Sequence, residues 1–242
     1  MVDIRFYKDP EEAASRAGKA LGAELFRLKD VPVLLLLSGG SAFGILADVR
    51  KEFLPSNLMV GMLDERYSAD PTINNFAQFL DTDFYTVAGE SGALFLDSRV
   101  DPNEESLLEY ADGLGKALRD WREINPKGRV VITQGMGADG HTAGVMPFPE
   151  NPEQFTQLFL DPRQWALGYD ASQKNKYRER ATVTLSFLRD GVDFSLLYVV
   201  GEDKAPALWR AVAKEGTLAE TPARIIQEMK NVTLITTIDL NS

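Results

Sequence analysis

His141 is the only histidine in a chain of 242 residues that contains no cysteine. General acid or base work near neutral pH therefore falls to this imidazole, or to a carboxylate or lysine in an unusual setting. It stands in a run punctuated by glycine, GMGADGHTAGVMP over residues 135–147, two positions after Asp139. Three further clusters have residue types suited to a small anion: the serines and glycines of Ser38, Gly39, Gly40 and Ser41; the charged triplet Asp64, Glu65 and Arg66; and the cations Arg180 and Lys204. The absence of cysteine excludes a disulfide framework, a thiolate nucleophile and cysteine-ligated zinc, and a lone histidine cannot build a histidine-rich metal site. Only a carboxylate-bound magnesium ion stays open. The expectation is a chain with neither metal nor cofactor.

The elements that must carry these residues can be read from hydrophobic patterning. Val130–Thr133 is a short buried strand that runs into the His141 loop. Val31–Leu37, apolar on both faces, ends in Ser38–Ser41 and is followed by an expected helix, Ala42–Phe53, whose N-terminus would face an anion. On its own such a glycine pair is more often a tight turn than a ligand cradle. Leu58–Leu63 runs into Asp64–Arg66. Phe194–Val200 ends in Gly201, Glu202, Asp203 and Lys204 ahead of a helix over Ala205–Ala213, a place where a cation is unfavourable unless an anion is present. Arg180 opens a strand, Ala181–Leu185, and is better fixed than Lys174, Lys176 and Arg178, which read as a solvated loop. Helices are expected over Asp9–Lys29, Phe76–Leu80, Glu104–Ile124 and Pro222–Met229, strands over Ala93–Leu96, Trp165–Gly168 and Val232–Ile238, and a surface connection over Phe148–Gln154. This alternation predicts one α/β domain over 1–242, a doubly wound, mostly parallel sheet with helices on both faces. The four clusters would then meet at the carboxyl edge of the strands, where open parallel sheets bind ligands.

A net charge of −10 argues against nucleic acid and anionic membrane as partners, since both need clustered Lys and Arg. It leaves room for a small anionic ligand in a locally positive pocket. No window is long and apolar enough for a membrane helix, and the first residues lack a signal pattern, so the expected location is the cytoplasm. A monomer or a small homo-oligomer is equally compatible with the sequence.

Four separated blocks, SGGS at 38–41, DER at 64–66, GMGADGHTA at 135–143 and RATVTL at 180–185, resemble the 6-phosphogluconolactonases, relatives of the glucosamine-6-phosphate isomerase/deaminases. GEDK ending at Lys204 and TPARIIQ at 221–227 are similar to the family's later segments. The resemblance implies a fold like glucosamine-6-phosphate isomerase and ribose-5-phosphate isomerase, and hydrolysis of 6-phosphoglucono-δ-lactone in the pentose phosphate pathway. It implies His141 as the base that activates water, Asp139 as its orienter or a hydroxyl ligand, Gly39, Gly40, Ser41, Arg180 and Lys204 around the phosphate, and Asp64 and Arg66 as further substrate contacts. The chain departs from the family at Ala42 and Phe43, at Asn74, where Ser-Asn becomes Asn74-Asn75, and at Gly144, Val145 and Met146. In the deaminase branch the histidine is followed by Ile-Ala-Phe-Asn-Glu-Pro, whose glutamate assists ring opening; here that position is Met146. Two alternatives stay open, an isomerase/deaminase and a sugar-phosphate-binding module without catalysis.

Overall fold

A computed structural model describes residues 2–101, 103 and 105–240. Among these residues ten strands form two sheets. The larger runs β1 (Val2–Phe6), β10 (Val232–Thr236), β9 (Phe194–Val199), β6 (Arg129–Gln134), β2 (Val33–Leu37), β3 (Leu58–Met62) and β5 (Leu94–Phe95), and every neighbouring pair is parallel. Parallel neighbours need crossovers, and these carry α1 (Pro10–Arg27), α2 (Asn75–Leu80), α3 (Asp83–Glu90), α4 (Leu107–Ile124), α5 (Pro152–Phe159), α6 (Leu185–Gly191) and α7 (Ala205–Val212). β2 is buried at every position, and its side chains alternate between two cores. Val33, Leu35 and Leu37 pack with Ala13, Ala17 and Leu21 of α1, while Leu34 and Leu36 join Leu114, Leu118 and Trp121 of α4 on the other face. The expected doubly wound α/β architecture is therefore present, with helices on both faces.

Several local expectations are corrected. Ala42–Phe53 is not an α-helix but two 3-10 segments, Gly40–Asp48 and Lys51–Phe53. The first of these segments packs closely on α1, where the absence of a side chain at Gly18 lets the Ile45 carbonyl approach: a Cβ there would lie 2.3 Å from its oxygen. Pro222–Met229 is likewise a 3-10 helix, Pro222–Gln227, whose Ala223 N–H is spent on the Gly140 carbonyl at 3.0 Å. The connection expected over Phe148–Gln154 gives way to α5, capped by Asn151, whose side chain accepts from Gln154 N at 3.1 Å. β1, α3 and α6 were not anticipated. The long helix starts at Leu107 behind a Ser106–Glu109 capping box, and its expected first residue, Glu104, lies outside the described residues.

The correction that matters most for the site concerns Asp64–Arg66 and Arg180. They do not trail from the parallel sheet. They lie in a second, three-stranded antiparallel sheet in the order β4 (Asp64–Arg66), β8 (Glu179–Val183), β7 (Ala166–Asp170). In β4 and β8, Asp64 faces Thr182 and Arg66 faces Arg180.

Candidate active site

β2 and β6 are neighbours whose chain continuations leave in opposite directions, β2 toward β3 and β6 toward β9. Such a switch point opens a crevice at the carboxyl ends of the strands. The two loops that leave it are tied together: Ser38 N–H donates to Thr133 Oγ1 at 3.0 Å, and Gly135 N–H to Ser38 Oγ at 3.4 Å. A cavity of about 220 Å3 lies there, a size for a compact ligand, and every predicted site residue borders it except Asp139, which stands behind His141. A larger groove of about 790 Å3 lies at the opposite edge, beside Pro32, Asn57 and Leu58 at the strand starts, and is lined mainly by apolar residues such as Leu94, Trp121 and Ile124.

The His141 loop is built by its glycines. Gly137 N–H donates to the His141 carbonyl and Gly140 N–H to the Gly137 carbonyl, both at 3.0 Å, while Gly140 takes φ +93°. A side chain at Gly137 could not coexist with the imidazole, since its Cβ would stand 2.2 Å from His141 Cε1. Asp139 Oδ1 receives the His141 backbone N–H at 3.0 Å and lies 2.6 Å from His141 Nδ1. That contact assigns Nδ1 as the protonated nitrogen of the neutral ring and leaves Nε2 for the cavity. Burial alone would push the Asp139 carboxyl up, but the imidazole hydrogen bond, the imidazole charge and the backbone N–H groups outweigh it and hold Asp139 below the ordinary aspartate range.

One face of the small sheet closes the cavity from the other side. Asp64, Arg66, Arg180 and Thr182 share that face by strand alternation and register. Thr182 donates its hydroxyl to the Ala143 carbonyl, and Tyr169, paired with Arg180 across β7, donates its hydroxyl to the Gly144 carbonyl at 2.6 Å and accepts the Met146 N–H at 3.2 Å. These contacts hold the backbone that follows His141. Arg180 Nη2 lies 2.6 Å from Asp64 Oδ2, with only 6% and 8% of the two side chains exposed. Arg66 donates to the Ile73 carbonyl at 3.1 Å and stacks its guanidinium 4.5 Å from the centre of the Tyr177 ring. Lys204, half-buried at the 3-10 turn Glu202–Lys204 before α7, makes no ion pair among the described residues. Of four buried side-chain nitrogen or oxygen atoms that lack a hydrogen-bond partner among the described residues, three border this cavity: Arg66 Nε, Asn75 Oδ1 and Arg180 Nε. Buried polar groups rarely go unpaired, so their concentration beside this cavity sets its wall apart from the rest of the described interior.

The loops that sequence reasoning places at one sheet edge do line one cavity; Asn75 is read there only as a departure from the family pattern, and Tyr169 and Thr182, which brace the loop after His141, carry no signal. Lys174 and Arg178, read as solvated, are engaged at the surface with Glu150 and Asp170. Among the described residues no group of three or more His, Asp or Glu is arranged to hold a metal ion. Among the same residues no helix is long and apolar enough to cross a membrane.

Comparison with known proteins bears on the fold and the family. The chain is 25% identical over 238 residues to a glucosamine-6-phosphate deaminase of Bacillus cereus, covering 97% of this chain and 86% of the relative. Among solved structures it superposes on a 6-phosphogluconolactonase from Shewanella baltica with a TM-score of 0.78 and 18% identity, over 98% of this chain and 97% of that one. A 6-phosphogluconolactonase from Trypanosoma brucei gives 0.66 and 20%, over 98% and 96%. At such identities the structures establish a shared fold. Residues 8–235 match the family described as glucosamine-6-phosphate isomerases/6-phosphogluconolactonase, and with nearly the whole chain inside that match the protein belongs to this family.

Proposed function

We propose that the protein hydrolyses a phosphosugar lactone, 6-phosphoglucono-δ-lactone being the best match, to the open-chain sugar acid. The observation that carries this reading is the Asp139–His141 pair, with Nε2 left for a cavity that also contains the Gly39–Ser41 turn, Arg180 and Lys204. A lactone is an activated ester, so a positioned water, a base and a held phosphate suffice. His141 Nε2 takes a proton from water as its oxygen bonds to the lactone carbonyl carbon. The tetrahedral intermediate then collapses with cleavage of the carbon–ring oxygen bond, and the imidazolium returns the proton to that leaving oxygen. The new carboxylic acid loses its own proton to solvent. Asp139, ionised throughout, fixes the imidazole and favours its charged state. The phosphate lies against the Gly39–Ser41 backbone, with Lys204 and the free edge of the Arg180 guanidinium supplying positive charge.

The deaminase relatives favour a second reading, isomerisation with ammonia release from glucosamine 6-phosphate. Against it stands position 146. Met146 is fully buried, and Glu150, the nearest downstream carboxylate, is exposed and engaged with Lys174. The side chain that assists ring opening in that branch is missing from the site. Lactone disappearance followed at a pH where spontaneous hydrolysis is slow tests the proposal. Wild type should accelerate it, and His141→Asn should lose two or more orders of magnitude with thermal unfolding nearly unchanged. Ammonia release from glucosamine 6-phosphate above the His141→Asn control would overturn it in favour of the deaminase.

A further inference from the structure

The hydrolytic reading leaves one buried carboxyl beside the cavity unused. Glu65 sits between Asp64 and Arg66 on β4, points to the opposite face of the small sheet and is 1% exposed. Its Oε1 accepts the backbone N–H groups of Arg66 at 2.9 Å and Asn75 at 2.5 Å, and its Oε2 accepts the Phe76 N–H at 3.0 Å and the Ser98 hydroxyl at 3.2 Å. Asn75 and Phe76 are the first two residues of α2, whose N–H groups have no partner within the helix. One side chain thus fastens the start of α2 to the strand that carries Asp64 and Arg66.

What this fastening positions is the Asn75 side chain. Asn75 Nδ2 donates to the Asp64 carbonyl at 2.9 Å, which fixes the orientation of the amide. Its Oδ1 is thereby pressed against Gly39, where a Cβ would stand 2.1 Å away, and is one of the acceptors without a partner. A buried acceptor without a partner is unfavourable for the fold alone. It is accounted for if the contact with Gly39 sets the turn that receives the ligand.

We propose that Asn75 is a positioning residue for the anion-binding turn Gly39–Ser41, and that Glu65 acts through Asn75 by anchoring it to β4. The inference rests on the reading of that turn as the phosphate cradle. Two contacts in series, the Asn75 backbone N–H on the Glu65 carboxyl and the Asn75 amide packed against Gly39, link the geometry of β4 to the end of β2.

Inorganic phosphate is the probe, with binding measured calorimetrically on wild type, Asn75→Ala, Glu65→Gln and the double variant, alongside thermal unfolding and lactone kinetics. Asn75→Ala should weaken phosphate roughly five- to tenfold, and the loss should appear in KM for the phosphorylated lactone more than in kcat. Glu65→Gln should weaken phosphate in the wild-type background and add little in the Asn75→Ala background. Unchanged phosphate affinity in Asn75→Ala overturns the proposal, and fully additive losses overturn the claim that Glu65 acts through Asn75. A Glu65→Gln variant that is merely less stable, with wild-type phosphate affinity, does the same. Should Glu65→Gln fail to fold, Ser98→Ala removes a single donor from the same carboxyl and must show the same dependence on Asn75. Phosphate binding needs no turnover: wild type that binds phosphate without hydrolysing the lactone refutes the lactonase reading alone, whereas an active wild type with no effect at Asn75 refutes this inference alone.

Discussion

Gly137→Ala tests the Asp139–His141 pair without altering either member. The new Cβ would lie 2.2 Å from His141 Cε1, 2.3 Å from Nδ1 and 2.6 Å from Asp139 Oδ1. All three are side-chain atoms, so the backbone can stay while the imidazole swings away. Reaching an ordinary carbon–carbon separation of about 3.5 Å requires a displacement of more than about 1 Å. That breaks the 2.6 Å contact with Asp139 and moves Nε2 by a comparable amount. Misplacement on that scale costs about 10²-fold in rate, close to 3 kcal/mol in the barrier. The loss cannot exceed that of His141→Asn, which removes the base altogether. Stability should change by no more than about 1 kcal/mol, because the pair is 31% and 43% exposed and surface pairs contribute little. Lactone hydrolysis and thermal unfolding measured on the same preparation separate the two effects. Turnover within threefold of wild type would show that the imidazole does not need this orientation, and the base assignment would fail with it.

Gly140→Ala should behave in the opposite way, losing about 1–3 kcal/mol of stability, because φ is +93° and the Cβ would meet Thr221 Cγ2 at 2.9 Å; an unchanged unfolding temperature would contradict this. Lys204→Ala is the clean test of the phosphate contact. It should raise KM for the phosphorylated lactone by an amount on the order of 2 kcal/mol and leave unphosphorylated gluconolactone little affected, equal losses on both substrates excluding a phosphate role. Arg180→Ala should show the same selectivity together with a stability loss of about 3–5 kcal/mol, since it leaves the buried Asp64 carboxylate without its partner; unaltered unfolding would mean that the pair is not buried as described. Burial pushes the Glu65 carboxyl from 4.5 up to about 8 against the opposing backbone hydrogen bonds. The folded chain then holds a proton that the unfolded chain releases, so the contribution of Glu65 to stability is complete below about pH 4.5 and is lost as pH rises to about 8. Denaturant unfolding across that window should show a slope of up to about 1.4 kcal/mol per pH unit that disappears in Glu65→Gln, and a slope that persists in the variant would assign it to other groups.

The parts of the site that could be read from the sequence are those whose geometry is local. A buried apolar run followed by glycines is enough to place Ser38–Ser41 and the His141 loop at strand ends, because both the run and the break lie within a few residues of each other. The small sheet is legible only as residues. Its central pairing joins Arg66 to Arg180, far apart in the chain, through strands too short and too charged to announce themselves, so Asp64–Arg66 looks like a return to solvent. The 3-10 winding of Gly40–Asp48 is equally invisible, since the surface it packs on, at Gly18, belongs to another helix.

Glu65 was hidden for a related reason. A glutamate between two charged neighbours counts as surface in any reading of composition, and its burial is set by partners from α2 and Ser98 that the local sequence does not contain. One signal was nonetheless available. If Asp64 and Arg66 both meet a ligand, they share a face, and a strand is the conformation that gives residues two apart a common face. The residue between them must then point the other way, into whatever packs behind. A glutamate so placed has to find hydrogen-bond donors in the interior, and the free N–H groups at the start of the short helix expected a few residues later are the closest supply. The same alternation that turns Asp64 and Arg66 toward the cavity therefore turns Glu65 into the interior as a structural anchor, and it ties the wall of the cavity to the helix that supplies Asn75.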